Sequence, residues 1–435
     1  RFFGAFILSC LPFLGVGLGI SIGTVLAPIF DWLPAERLTA IPWDAIIKSL
    51  LYFVLPNVFF SGALLFALAQ AGRSTIISFV GALMLIIAYS ITGTFLSDIE
   101  NINLAALTDP FGIRTYSVST RYFTTVDKNT LSPALEGLML QNRLIWFSVG
   151  AVILAISYWR FSPQKNRKAW FTLSRKRKEE KESTGAAGPM PKVTQVFGSR
   201  TAWQQFASFT KITTLSIYKH NVFKILATFA AILVITDLAF SYEYFGIKSY
   251  PVTYKMVDLI SNSSSLFLVI TMVFFSGELV WRDRDAHIHE VISATPYSSF
   301  SKLIAYLVSL LAVCSGLYVL FIILAVIAQL LNGFTAIELD LYLGSLFLDK
   351  LPYLLYLAAF HLFIQVLVNQ KYVGYLVSIL SLFVFDLVLS ALDVNSNMLY
   401  LGSITNLFYS DLNGYGPGTD GVFWFSLYWS LFALF

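Results

Sequence analysis

Long stretches free of Asp, Glu, Lys and Arg decide what this chain can become. Phe2–Phe30, Ser49–Gly72, Ser74–Ser97 and Leu303–Leu331 are each uncharged. A helix needs only about 20 apolar residues to cross a ~30 Å hydrocarbon core. Further candidates are Leu144–Trp159 (starting nearer Leu138), Ile225–Tyr242, Leu259–Gly277, Leu351–Gln370, Tyr372–Leu392 and Val422–Phe435. The expectation is an all-α polytopic helix bundle with about ten spanning segments. Composition agrees: 57% of the 435 residues are hydrophobic and 12% charged, where a soluble domain carries about 25% charged residues. A soluble enzyme, a disordered chain and a nucleic-acid binder are all disfavoured. Cys10 and Cys314, the two cysteines, both lie in apolar runs, which excludes a disulfide framework and a Cys-rich zinc site.

Lys and Arg placement predicts the orientation. Nine basic residues fall between Arg160 and Lys181, and that block belongs in the cytoplasm. Counting crossings from it puts Arg73, Lys371 and the Glu278–Lys302 loop inside as well. The loops Asp31–Lys48, Asp98–Arg143, Ser241–Asp258, Glu338–Lys350 and Asp393–Gly421 fall outside, and no crossing has to be skipped. Trp32, Trp43, Trp146, Trp159 and Trp424 sit at segment ends, as an interfacial aromatic belt would.

Ser183–Pro191 is small, uncharged and rich in Gly and Pro, and reads as a linker between related halves. Leu55-Pro56 opens a helix pair broken by Arg73, and Leu351-Pro352 opens one broken by Lys371. Arg1-Phe2 and Lys302-Leu303 each launch a long apolar run, at an offset of about 300 residues. The expected organisation is a first half over 1–160, a basic linker over 161–200 and a second half over 201–435. By this register the first half lacks two helices that precede Arg1, so the chain is expected to be a piece of a longer protein.

Catalytic motifs are absent. No G-x-x-x-x-G-K-[ST] is present, so ATP hydrolysis is not expected of this chain. Gly416–Gly421 satisfies G-x-G-x-x-G but follows no strand, and reads as a turn. His289-Glu290 begins like H-E-x-x-H, yet the fifth position is Ser293, so no zinc pair forms and no metal site is expected. His361, alone in an apolar helix, is expected to hydrogen-bond a neighbouring helix.

The most informative stretch runs from Gly277 to Lys302. Trp281, Ile288, Val291 and Ile292 share one helical face, and Glu278–Arg282, Asp283–His287 and Asp285–His289 are i,i+4 pairs on the other. Pro296 disfavours helix at the residue before it. The spacing predicts a short amphipathic helix at the membrane surface, ending near Thr295: either a docking element or a solvated loop of mixed charge. Thr201–Lys224 places Trp203, Phe206, Phe209, Ile212 and Leu215 at regular spacing beside Lys211, Lys219 and Lys224, and reads as an interfacial helix or a frayed lead-in.

The segment G-E-L-V-W-R-D-R-D-A, with Glu290 and Ala294-Thr295-Pro296 after it, resembles the coupling loop of type-2 ABC export permeases. More narrowly, the chain resembles the membrane part of bacterial proteins in which two such permease halves precede a zinc aminopeptidase domain. Leu55-Pro56-Asn57, Asp109-Pro110-Phe111-Gly112, Asn142-Arg143-Leu144, Leu367–Tyr372 and Tyr409–Gly416 carry the resemblance along the chain. The peptidase H-E-x-x-H is missing, so peptidase activity does not carry over. The resemblance implies a multi-pass protein of the bacterial inner membrane and a cytoplasmic ABC ATPase partner, a pair of subunits holding the ATP and Mg. Glu278, Trp281, Arg282, Asp283, Arg284, Asp285, Glu290 and Pro296 would couple to it. The interfacial stretch is similar to that family's connecting helix.

Two carboxylates fall within spanning segments. Asp237 and Asp386 lie ~20 Å along their helices from Lys224 and Lys371 at 1.5 Å per residue. Each either lines a translocation path or sits near the outer boundary, where an ionised group costs little. Asp109–Gly112 and Asp411–Gly416, with Asn413, form either an outside gate, a peptidase dock or plain turns. The implied function is thus an exporter permease moving an unidentified substrate. The rivals are a non-transporting membrane scaffold that anchors a peptidase outside, and an ion-coupled carrier.

Overall fold

The computed structural model describes residues 2–32, 34, 36, 40–72, 78, 81–82, 84–86, 88–90, 102–160, 198–240, 243–244, 247–248, 250–295, 298–394, 396, 398–400, 402–403, 409–410, 412–416 and 418–434. Arg73, Pro296, Asp411, the Ser183–Pro191 linker and all of the basic block except Arg160 lie outside these residues, as does most of Ser74–Ser97. The chain divides into two compact units: Arg1–Lys176 with Glu243–Ile247, and Arg177–Tyr242 with Lys248–Phe435. The strands among the described residues are one short pair, Glu243–Tyr244 and Ile247–Lys248.

In the first unit, α1 (Phe2–Leu26) packs on α3 (Leu55–Gly72), and α3 packs on α7 (Gly137–Trp159). A short α2 (Trp43–Ser49) runs through a π-turn at Leu50–Val54 into α3. The polar stretch before α7, read from sequence as a loop, folds into three small helices: α4 (Ile102–Thr108), α5 (Ile113–Ser119) and α6 (Thr125–Thr130). Thr124 and Asp127 close α6 with a reciprocal capping box.

The second unit begins with α8 (Ser199–Lys219) and α9 (Asn221–Phe240). Then come α10 (Thr253–Asp285), the short α11 (His289–Ser293) and α12 (Ser299–Leu331). The chain continues as α13 (Leu339–Leu343), a π-turn at Gly344–Lys350, α14 (Leu351–Leu367), α15 (Lys371–Ala391) and α16 (Gly418–Leu434). Helices α10, α12 and α14 pack on one another and form the core, with Phe267, Met272, Phe275, Phe321 and Tyr356 fully buried. Helix α16 packs on α14, and α15 packs on both α10 and α14.

Each unit carries a π-turn directly before a Leu-Pro pair. Proline has no N–H, and its ring crowds the carbonyl four residues back. Those carbonyls belong to Tyr52 and Leu348, inside the π-turns, where the wider turn relieves the clash.

Eight described helices are long and apolar enough to cross a bilayer. This is a multi-pass, all-α membrane protein. The expected ten segments become eight for two reasons. One candidate falls largely outside the described residues. The last, α16, is described over 17 residues, about 25 Å of helix. On α1, Ile7, Leu8 and Val16 are 60–68% exposed, and on α15 Phe383 and Leu387 are 69% exposed. Such faces are at rest against acyl chains rather than water.

Candidate functional site

Charge and hydrogen bonding converge at the end of the second unit where α10 finishes and α15 starts. Helix α10 does not stop with its apolar run at Gly277 but continues through Glu278–Asp285. Glu278 and Asp285 lie two turns apart on one face. Lys371, the first residue of α15, reaches both: its Nζ is 2.8 Å from Glu278 Oε1 and 2.8 Å from Asp285 Oδ2. Tyr375, one turn along α15, donates to the Phe274 carbonyl at 3.3 Å and lies 3.4 Å from Glu278 Oε1. Asp283 turns the other way and pairs with Lys302 on α12. Three helices are therefore joined by two interhelical ion clusters.

Trp281 lies between those clusters and is 8% exposed. Its indole N–H donates to Gln365 Oε1 on α14 at 3.1 Å, and the Arg284 guanidinium sits 4.8 Å over its ring. Trp281, expected on the apolar face of a surface helix, thus packs its indole inward against α14. The single amphipathic helix is corrected. Ile288 N–H bonds the Asp283 carbonyl and His287 N–H the Arg284 carbonyl, with His287 at φ 54°, so a Schellman turn ends α10 well before Thr295. The turn also comes between Asp283 and His287 and between Asp285 and His289, whereas Glu278 and Arg282 lie together inside α10. None of Glu278–Arg282, Asp283–His287 and Asp285–His289 forms an ion pair among the described residues; Arg282 Nε instead lies 3.6 Å from Asp283 Oδ1. Beyond the turn, α11 carries exposed Glu290 and Val291, the latter 70% exposed.

Asp237 lies three residues before the end of α9 and accepts a hydrogen bond from Ser263 on α10. Asp386 is exposed on α15 and makes no hydrogen bond or ion pair to a described residue. The two carboxylates thus have unrelated surroundings. His361 is fully buried on α14, and neither ring nitrogen is hydrogen-bonded to a described residue, against the interhelical bond expected of it. On α8, Trp203 and Ile212 are 60–67% exposed while Thr213 and Ile217 are buried, in a helix that packs on α12.

In the first unit, three of the stretches quoted from sequence meet. Arg143 Nη1 donates to Asn57 Oδ1 at 2.8 Å. Asn142 Nδ2 reaches the carbonyls of Ala106, Leu107 and Asp109 at 2.7–3.2 Å. Asp109 itself is fully buried, its carboxylate accepting from the Phe111 and Arg114 amides at 2.9 and 2.7 Å. The Asp109 side chain is therefore consumed in folding the α4–α5 turn. The Tyr409–Gly416 stretch makes a tight turn closed by the Ser410–Gly414 bridge. Asn413 is exposed at its tip, and Tyr415 hydroxyl bonds to Ser345.

Sequence reading missed Lys371, Lys302, Gln365 and Tyr375 as site residues. The two lysines had served only to mark segment ends. Gln365, one of the few amides inside an apolar run, carried the same signal that singled out His361. Among the described residues no three His, Cys, Asp or Glu side chains gather as metal ligands. No protein-family model, curated protein or solved structure matches this chain.

Proposed function

We propose that the chain is the membrane permease subunit of an ATP-driven ABC exporter in the bacterial inner membrane, worked by a separate ATPase that docks at Glu278–Ser301. The reading is supported by one observation above all. Helix α10 is a single 33-residue rod, about 50 Å long at 1.5 Å per residue. Its end is clamped to α12 through Asp283–Lys302 and to α15 through Lys371, with α11 exposed just beyond. A push on α11 is delivered to three helices together rather than dissipated in a loop. In this reading the Lys371 end is cytoplasmic, and nucleotide binding by the partner moves the helices as a rigid body. The driving energy is the partner's differential affinity for the two arrangements.

Purified chain in liposomes, mixed with its ATPase, is the test. Val291→Asp and Arg284→Glu should abolish stimulated ATP hydrolysis while leaving the fold's thermal transition in place. Unchanged stimulation by both variants overturns the reading and favours a scaffold that carries a peptidase without transport.

A further inference from the structure

The junction of α10, α14 and α15 holds polar groups that the clamp does not use. Gln365 sits at its base. Its Oε1 accepts from Trp281 on α10, and it lies against Gly374 on α15 so closely that any Cβ there would collide with its amide. One turn further from Lys371 come His361 on α14 and Ser378 on α15. The two helices run antiparallel from the Val368–Gln370 turn, so the register that sets Gln365 opposite Gly374 sets His361 opposite Ser378. Ser378 also falls between Gly374, which faces α14, and Tyr375, which stacks on Phe274 of α10, at 100° per residue. It is therefore aimed at the seam where α10 and α14 meet. His361, Gln365 and Ser378 are all fully buried. His361 Nδ1 and Nε2, Gln365 Nε2 and Ser378 Oγ hydrogen-bond to no described residue.

Four polar atoms on facing surfaces, all shut away from solvent, are an expensive arrangement unless something joins them. Each unsatisfied buried group costs about 1–3 kcal/mol, and nearly all such groups in folded proteins are paired. A neutral imidazole offers one donor and one acceptor, a hydroxyl offers both, and the amide offers donors. That set complements a small neutral molecule that both donates and accepts. It does not suit an ion: the charges toward the Lys371 end are Lys371, Glu278 and Asp285, which satisfy one another.

We propose that His361, Gln365 and Ser378 line a water-binding site inside the membrane span, entered from the Lys371 end. Tyr375, Glu278 and Lys371 mark the route, since each carries polar atoms along the same α10–α15 seam. The site stands whether or not the chain is a permease. What it gives the fold is an α14–α15 contact mediated by exchangeable bonds instead of interlocked apolar side chains.

Ser378→Cys, made in a Cys10→Ala background and purified as the full chain in detergent, tests water access directly. The probe is 2-aminoethyl methanethiosulfonate, which reacts with the thiolate. Cys314, fully buried on α12, is the dry reference in the same molecule, and Tyr372→Cys the exposed one. A wetted site makes position 378 react at least about tenfold faster than Cys314, because burial in apolar surroundings suppresses the thiolate. Reaction no faster than Cys314 overturns the proposal. A second measurement covers a cysteine variant that fails to fold. His361→Leu and Ser378→Ala should each lower the thermal midpoint, and the double variant should lose less than the sum, because one change strands the other's shared water. Additive losses, or a gain from either single change, also overturn it.

Discussion

Trp281 on α10 hands its indole N–H to Gln365 on α14 at 3.1 Å, with both side chains buried. The bond ties the last turns of two core helices at the same depth as the charge clusters around them. Gln365→Leu should lower stability by about 1–3 kcal/mol, since a buried donor is left without its acceptor. Gln365→Glu should retain more, because a carboxyl oxygen can still accept. Thermal or urea unfolding in detergent, followed through Trp fluorescence, reads the difference.

The Lys371 bridge makes a graded prediction. Its side chain is 17% exposed, against 29% for Glu278 and 53% for Asp285, so solvent screens part of the attraction. Lys371→Met should cost about 1 kcal/mol after that discount. Lys371→Arg should keep most of the stability, and Lys371→Glu should be the worst of the three by placing a third carboxylate beside two. Thermal midpoints in low and high salt check the order, and the spread should narrow as salt rises.

The spans were legible because hydrocarbon imposes one strong demand, about 20 apolar residues satisfying their own backbone. The α7 start near Leu138 and the α12 and α15 ranges follow from that alone. Which polar side chains face protein was not legible. Against lipid an outward face is as apolar as an inward one, so periodicity does not orient Trp281, His361 or Gln365. Nor does spacing reveal that Asp109 folds back on two amides or that a non-glycine residue, His287, ends α10. Of the charge pairs written along the Glu278–His289 stretch, the two that include His287 and His289 are cut by the helix end, and Glu278, Asp283 and Asp285 pair instead with Lys371 and Lys302 on other helices.

In the first unit, Asn142 secures three carbonyls at the end of α4 and just beyond it, those of Ala106, Leu107 and Asp109. Asn142→Ala should therefore release Ile102–Ser119 locally and cost about 2 kcal/mol, within the range for stranding buried hydrogen-bonding groups. Gly112→Ala should act on the same region. Gly112 has φ 73°, and an added Cβ would run into the Arg143 guanidinium. Hydrogen exchange should show faster exchange in residues 102–119 for both variants and little change in α1. Protection equal to the parent in these variants would remove the network from the account.

The paired π-turns give a structural prediction. Pro56→Ala and Pro352→Ala each restore an N–H that can reach the carbonyl four residues back, at Tyr52 or Leu348, and remove the ring that crowded it. Each π-turn should then tighten towards α-helix, changing the angle between α2 and α3 in one unit and between α13 and α14 in the other. Spin labels at exposed Ile47 and Phe66 should report a shifted distance in Pro56→Ala. An unchanged distribution would show that the π-turn does not depend on the proline.

His220, at the turn between α8 and α9, supplies a pH dependence. It accepts the Val222 amide on Nδ1 at 3.3 Å and meets Phe275 edge-on. Burial pushes its pKa below the ordinary value, the Lys371 charge lowers it further, and Glu278 partly opposes them. The unfolded chain, with an imidazole pKa near 6.5, therefore binds the proton first. Stability is fully present above that value and falls as pH drops from about 6.5 towards the folded-state pKa, levelling off below it. Because the ring is partly exposed, the loss is modest. Thermal midpoints between pH 8 and 5 should fall for the parent chain. They should fall less for His220→Asn, whose side-chain oxygen can still take the Val222 amide without titrating. Equal slopes in the two would assign the pH dependence to other groups.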